Sequence, residues 1–210
     1  MNNNNNIPKI KLCGLSRPED IQAANSVKPE YIGFVLWEKS KRKVDRVRAK
    51  ELKSALDPEI KAVGVFVDEN IETVLELLNE GIIDIAQLHG NEDEAYIKEL
   101  KGRTDKPVMK AFQVKNSEDI RKAMDCSADM VLLDSGQGTG STFNWSLLNE
   151  MDRPFFLAGG LNLMNIEEAL SKITPYAVDV SSGIETDGKK DYDKMQRFVN
   201  TVRNTRKEKS

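Results

Sequence analysis

The chain has 210 residues, enough for one domain with a sizeable buried core, and its 31 basic residues nearly balance 34 acidic ones for a formal net charge of -3. That balance excludes a global field drawing the chain to nucleic acid or an anionic membrane, so any anion it binds is held locally. Two cysteines, Cys13 and Cys126, with no signal-peptide pattern and no long apolar run, fit a reducing cytoplasmic setting without a disulfide framework.

The asparagine run Asn2 to Asn6 and the charged tail Arg206 to Ser210 cannot bury apolar surface, so residues 1–8 and 206–210 are expected to be disordered ends around one domain over 9–205. Within that domain, eight short runs rich in Val, Ile and Leu alternate with longer amphipathic segments. They are Ile10 to Cys13, Tyr31 to Leu36, Ala62 to Val67, Ile83 to Leu88, Val108 to Val114, Met130 to Asp134, Phe155 to Ala158 and Ala177 to Ser181. Such runs, bounded by turn or cap residues, read as strands buried on both faces of a parallel sheet. Ser16 with Glu19, and Asn91 with Glu94, have the spacing of capping boxes, and Pro18 falls in a first helical turn. Ile71, Val74, Leu75 and Leu78 form one apolar helical stripe, and Met195, Phe198, Val199 and Val202 form another. The shortest helix is expected near Trp145 to Glu150. Eight alternations without a composition break predict a single-domain α/β fold, a closed (β/α)8 TIM barrel, over an open doubly wound sheet.

In such a barrel chemistry sits where strands end and βα loops begin. Cys13 closes the first run, and strand alternation puts Lys9, Lys11 and Cys13 on one face, expected to point into the barrel. A lysine two residues before the cysteine can hold the thiol below its ordinary pKa of about 8.5 and make a thiolate available as a base. The alternative is an inert buried cysteine. After the second run, Ser40-Lys41-Arg42-Lys43 offers a guanidinium able to grip a carboxylate in bidentate fashion, or simply a solvated charge run. Gln87 and His89 share the inward face of the fourth run, where a structural hydrogen-bonding role is expected, and a lone histidine without a ligand set argues against a metal.

Asp134 closes the sixth run after four apolar residues, where it can act as an acid, cap the next loop or pair with a buried lysine. Asp179, between Val178 and Val180, also faces inward and requires a partner or a ligand. Three glycine turns follow the last three runs: one spans Gly136 to Gly140, with Gly138 inside it, another is Gly159-Gly160, and the last is Ser181-Ser182-Gly183. Glycine lets backbone N–H groups approach an anion closely, and barrels often hold a phosphate in the last loops, so these turns predict a phosphate site.

Several segments carry a resemblance. Lys11-Leu12-Cys13-Gly14-Leu15, Gly33-Phe34 with Ser40 and Arg42, Val63-Gly64-Val65-Phe66, Gln87-Leu88-His89-Gly90 and Leu132-Leu133-Asp134-Ser135 resemble the phosphoribosylanthranilate isomerase family. So do Gly138-Thr139-Gly140, Leu157-Ala158-Gly159-Gly160-Leu161 and Val178-Asp179-Val180-Ser181-Ser182-Gly183-Ile184-Glu185, all in the family's order from Lys9 to about Met195. The resemblance implies an Amadori rearrangement in tryptophan biosynthesis, from N-(5-phosphoribosyl)anthranilate to 1-(2-carboxyphenylamino)-1-deoxyribulose 5-phosphate, with no cofactor and no metal. It assigns Cys13 as general base and Asp134 as general acid. By the same resemblance Arg42 binds the anthranilate carboxylate and Asp179 lies beside the aromatic amine. Gly138, Gly140, Gly159, Gly160, Ser182 and Gly183 then hold the phosphate. The implied partner is a small phosphorylated substrate, with no nucleic acid or membrane, and the protein is a monomer or homodimer. Lys41, Ser141 and Asn144 depart from the family's usual residues, whereas Cys13 and Asp134 do not. A related sugar isomerase of two-aspartate design does not fit Cys13, and a silent phosphate-binding barrel would have lost Cys13 or Asp134.

Overall fold

Side-chain alternation along the strands decides which residues fill the barrel and which lie beneath the helices. In the computed structural model, which describes residues 7–136 and 145–205, eight parallel strands close into a barrel in chain order. They are β1 (Lys9–Cys13), β2 (Tyr31–Val35), β3 (Lys61–Phe66), β4 (Ile85–Leu88), β5 (Val108–Gln113), β6 (Met130–Asp134), β7 (Phe155–Ala158) and β8 (Ala177–Val180). Every run expected from the sequence is a strand, and the fold is the expected TIM barrel. The largest boundary shift is at β4, which starts at Ile85 because the Asp84 carboxylate instead serves the neighbouring strand, accepting from the Ala62 N–H and from Lys53 Nζ. Of the expected disordered ends, 1–6 and 206–210 lie outside the described residues, while Pro8 is described and buried.

The helices are α1 (Pro18–Val27), α2 (Arg46–Ser54), α3 (Ile71–Asn79), α4 (Glu94–Gly102), α5 (Ser117–Asp125), α6 (Ile166–Lys172) and α7 (Tyr192–Asn204). After β6 the described chain forms a 3₁₀ helix at Trp145–Glu150. Two helix starts differ from the expected capping boxes. At α1 the cap is Arg17 rather than Ser16, because the Asp20 carboxylate reaches back to the N–H groups of both Ser16 and Arg17, at 2.9 and 3.0 Å. Pro18 then takes the first helical position, where no N–H is needed. At α4 the cap is Asp93, accepting from the Tyr96 N–H, while Asn91 turns to the Asp68 carboxylate.

Two apolar cores result. Outward residues such as Leu12, Phe34, Phe66 and Leu133 pack beneath the helix stripes, including Val74, Leu75 and Leu78 of α3 and all four stripe residues of α7. Inward residues Tyr31, Val63, Ile85, Met109, Leu132 and Phe156 fill the lower barrel. Polar inward side chains above that plug therefore collect at the carboxyl ends of the strands.

One element was not anticipated. A hairpin of β9 (Glu185–Thr186) and β10 (Lys189–Lys190) follows β8. Its turn residues Asp187 and Gly188 both have left-handed φ, 50° and 74°, the two-residue turn that an Asp-Gly pair favours.

Gly183 packs the loop after β8 against the loop after β7, pairing with Asn162 in an isolated bridge, and a Cβ on it would collide with the Leu161 carbonyl. Gly183→Ala is expected to cost about 1–3 kcal/mol by overpacking, read as a melting temperature lower by about 2–4 °C per kcal/mol. An unchanged melting curve would contradict this packing.

Candidate active site

The polar strand ends surround one cavity of about 460 Å³. Of the residues singled out from the sequence, Cys13, Arg42, Asp134, Asp179, Gly159, Gly160 and Ser182 line it. Gly183 lies in the supporting loop contact described above, and Gly138 and Gly140 lie outside the described residues. The structure thus brings together residues from five different strand ends.

The floor begins with β1 and β8, whose register pairs Lys11 with Asp179. Lys11 is fully buried, and its Nζ lies 3.0 Å from both Asp179 oxygens, giving the aspartate the partner its position required. Burial alone would lower the Lys11 pKa, but interactions led by the attraction to Asp179 more than offset it, and the ammonium is held above its ordinary value. Lys9, on the same face of β1, stays exposed at the opposite mouth, with Nζ on the Tyr176 hydroxyl at 2.7 Å.

Cys13 sits above this pair. Gly33 leaves room for its sulfur, since a Cβ there would come within 2.7 Å of Sγ. The lowering that Lys11 could have given the thiol does not occur. Burial pushes the Cys13 thiol up; attraction to Lys11 and Lys190 offsets it only in part, and the Asp179 carboxylate works against the lysines. The resting side chain is a protonated thiol.

Arg42 crosses directly over the end of β1. Gly14, at φ 80°, makes this possible, because a Cβ there would lie 2.5 Å from Arg42 Cδ. The guanidinium fork expected to hold a ligand carboxylate grips Glu185 from the new hairpin, with Nε on Oε1 at 2.6 Å and Nη2 on Oε2 at 2.8 Å. Lys190, opposite Glu185 in the hairpin, adds a contact to Oε1 at 2.7 Å. Burial pushes the Glu185 pKa up, but Arg42 and Lys190 overcome that and bring it down to about 2.

On the far side, Asp134 Oδ1 accepts from the Gly136 N–H at 2.8 Å, and Oδ2 faces His89 Nε2 at 3.8 Å. The Gln87 side-chain amide lies 2.9 Å from His89 Nδ1, in a hydrogen bond whose direction follows the ring tautomer, and leaves Nε2 facing Asp134. Burial lowers the His89 pKa, only partly opposed by Asp134, so the ring is neutral at pH 7. His89 therefore has more than the structural hydrogen bond expected of it. Gln87 Oε1 is buried with no partner among the described residues. Gly159, at φ 99°, lets the loop after β7 pass beside Asp134, where a Cβ would lie 2.7 Å from Oδ1.

The comparison with known proteins fits this geometry. A family model described as N-(5'phosphoribosyl)anthranilate (PRA) isomerase matches residues 10–201. The chain belongs to the phosphoribosylanthranilate isomerase family. It is 48% identical to the N-(5'-phosphoribosyl)anthranilate isomerase of Endomicrobium trichonymphae over 94% of this chain and 99% of that protein. It also superimposes on the crystal structure of phosphoribosyl anthranilate isomerase from Thermotoga maritima with a TM-score of 0.85, at 33% identity, covering 94% of this chain and 99% of the other. A further solved phosphoribosyl anthranilate isomerase, in complex with reduced 1-(o-carboxyphenylamino)-1-deoxyribulose 5-phosphate, matches with a TM-score of 0.83, 33% identity and the same coverages. The enzyme is an isomerase of tryptophan biosynthesis.

Sequence reasoning missed three contributors to this isomerase's cavity region. Trp37 lines the cavity, and Glu185 and Lys190 form the clamp behind Arg42. The Asp187-Gly188 turn was the available signal for the latter two, since it pairs their positions.

The raised thiol pKa generates a prediction. Alkylation of Cys13 by iodoacetamide in the ligand-free protein should be slow at neutral pH and keep rising past pH 9, because the thiolate is the reacting form. A rate that levels off near neutral pH would contradict the protonated resting state.

Proposed function

We propose that this isomerase converts N-(5-phosphoribosyl)anthranilate into 1-(2-carboxyphenylamino)-1-deoxyribulose 5-phosphate with Cys13 as general base and Asp134 as general acid. The observation that carries the reading is placement. Cys13 and Asp134 edge the same cavity from β1 and β6, and on the arc between them β7 and β8 end in turns whose Gly159, Gly160, Ser181 and Ser182 also line it. A ligand with a phosphate on that arc has its sugar between the two proton-transfer groups.

Asp134 protonates the furanose ring oxygen; the C1′–O bond breaks as the amine lone pair forms an iminium. Cys13, once its thiol proton has passed to solvent, takes the C2′ proton to give an enolamine, which tautomerises to the ketone. The iminium's positive charge beside Cys13 favours the thiolate at the moment it is needed, and a thiolate of raised pKa is the stronger base. His89, whose Nε2 faces Asp134 Oδ2 at 3.8 Å, can support the carboxylate left by the first proton transfer.

Arg42 faces the anthranilate carboxylate and Asp179 the aromatic amine. The phosphate is held by the turns of Gly159 and Gly160 and of Ser182, whose loop Gly183 fixes, and by Gly138 and Gly140. The setting is cytoplasmic and the protein a monomer or homodimer with a small phosphorylated partner; the near-balanced charge supports no nucleic-acid or membrane partner. The folded domain covers 9–205.

The test is loss of anthranilate fluorescence when purified protein meets freshly made phosphoribosylanthranilate. Cys13→Ser and Asp134→Asn should each lower kcat by at least about 10²-fold with melting unchanged. Near-normal turnover by either folded variant would remove that residue from its role.

A further inference from the structure

The clamp between Arg42 and Glu185 has a geometry that a surface ion pair lacks. Arg42 comes from the loop after β2 and Glu185 from the hairpin after β8, so their contact bridges β1, the strand that lies between them in the barrel. The side chain of Glu185 is only 9% exposed, while that of Arg42 keeps 34% and lines the cavity. Both oxygens of Glu185 are committed to the Nε and Nη2 edge of the guanidinium. The same Oε1 also accepts from Lys190, whose Nζ is tied further to the Ser181 carbonyl at 2.9 Å. Gly14 lies under the arginine stem and Lys194 Nζ holds the Glu185 carbonyl at 2.6 Å, so both ends of the clamp are anchored.

A guanidinium has five N–H donors in one plane, and a side-on carboxylate uses one from Nε and one from Nη2. The end edge, with one hydrogen from Nη1 and the second from Nη2, has no partner among the described residues, and it can take a second planar carboxylate end-on. We propose that Glu185 is a positioning residue for substrate recognition: by occupying the side edge of Arg42 it presents the end edge to the substrate's carboxylate. The inference rests on the reading of Arg42 above and adds its orientation. Glu185 also cancels one of the two cationic charges beside it, so the pocket end is matched to a singly charged carboxylate.

The experiment measures binding of two non-reacting ligands, the reduced product 1-(2-carboxyphenylamino)-1-deoxyribitol 5-phosphate and its counterpart lacking the carboxylate, by titration calorimetry. Each is titrated into the wild type, Glu185→Gln, Arg42→Ala and the double variant. Glu185→Gln should weaken the carboxylated ligand about tenfold, leave the other unchanged, and have no further effect once Arg42 is alanine. With substrate, KM should rise more than kcat falls. Equal weakening of both ligands would reduce Glu185 to a structural role, and tighter binding of the carboxylated one would make Glu185 a competitor for the fork; either overturns the proposal. If Arg42→Ala itself leaves the preference for the carboxylated ligand intact, the reading of Arg42 fails first. If only Glu185→Gln leaves it intact, the positioning inference alone fails. Should Glu185→Gln not fold, Glu185→Asp, which keeps the charge and is too short to span both nitrogens, should show a smaller loss of the same preference, and no loss would again overturn the proposal.

Discussion

A fully buried lysine inside a barrel is tolerable only with a partner, and the Lys11–Asp179 pair is the contact on which the rest of the site is built. Removing one member of such a pair typically costs about 3–5 kcal/mol, because the other charge is left uncompensated. The pair sits at the boundary between the apolar plug of Tyr31, Val63, Ile85 and Phe156 and the cavity above. It provides a polar floor where the strands would otherwise continue an apolar core. Cys13 stands on that floor, with its carbonyl accepting from Ser181 Oγ at 3.0 Å, and Ser181 in turn meets Lys190.

Two chemically distinct halves follow from strand order. Around β1, β2 and β8 the groups are Lys11, Asp179, Lys190, Glu185 and Arg42, three cations and two carboxylates that leave a small positive excess beside the thiol. Around β4 and β6 the groups are neutral His89 and the Asp134 carboxyl. The positive excess of the first environment favours a thiolate at Cys13, as the proposed mechanism requires. Between the halves, glycines let backbone take the place of side chains, at Gly159 beside Asp134 and at Gly33 beside the sulfur.

The fold was legible because parallel strands buried on both faces leave unbroken apolar runs, and a reactive or charged residue closing such a run marks the functional end of the barrel. Cys13 and Asp134 were found this way, and Asp179 from its place between two valines inside its run. What was not legible depended on competition between partners. Lys11 was visible two residues before Cys13, but nothing local showed that Asp179, across the β1–β8 seam, would take its charge and leave burial to raise the thiol pKa. Arg42 was recognised as a fork, yet Glu185, far off in the chain, already fills one edge. The helix caps were misplaced by one or two residues because the Asp20 carboxylate takes the Ser16 and Arg17 N–H groups, while Asn91 is drawn to Asp68 and leaves Asp93 to accept from the Tyr96 N–H. Gly183 suggested a phosphate loop, while its lack of a side chain is explained by the Leu161 carbonyl.

In the proposed mechanism the charged floor controls proton removal by Cys13. The most direct test is the deuterium isotope effect on kcat, with substrate labelled at C2′, in the wild type and in a folded Lys11→Met variant. Without the ammonium the thiolate is harder to form, so the account predicts a lower kcat together with a larger isotope effect as proton abstraction becomes more fully rate-limiting. A normal kcat, or a lower kcat with an unchanged or smaller isotope effect, would contradict it.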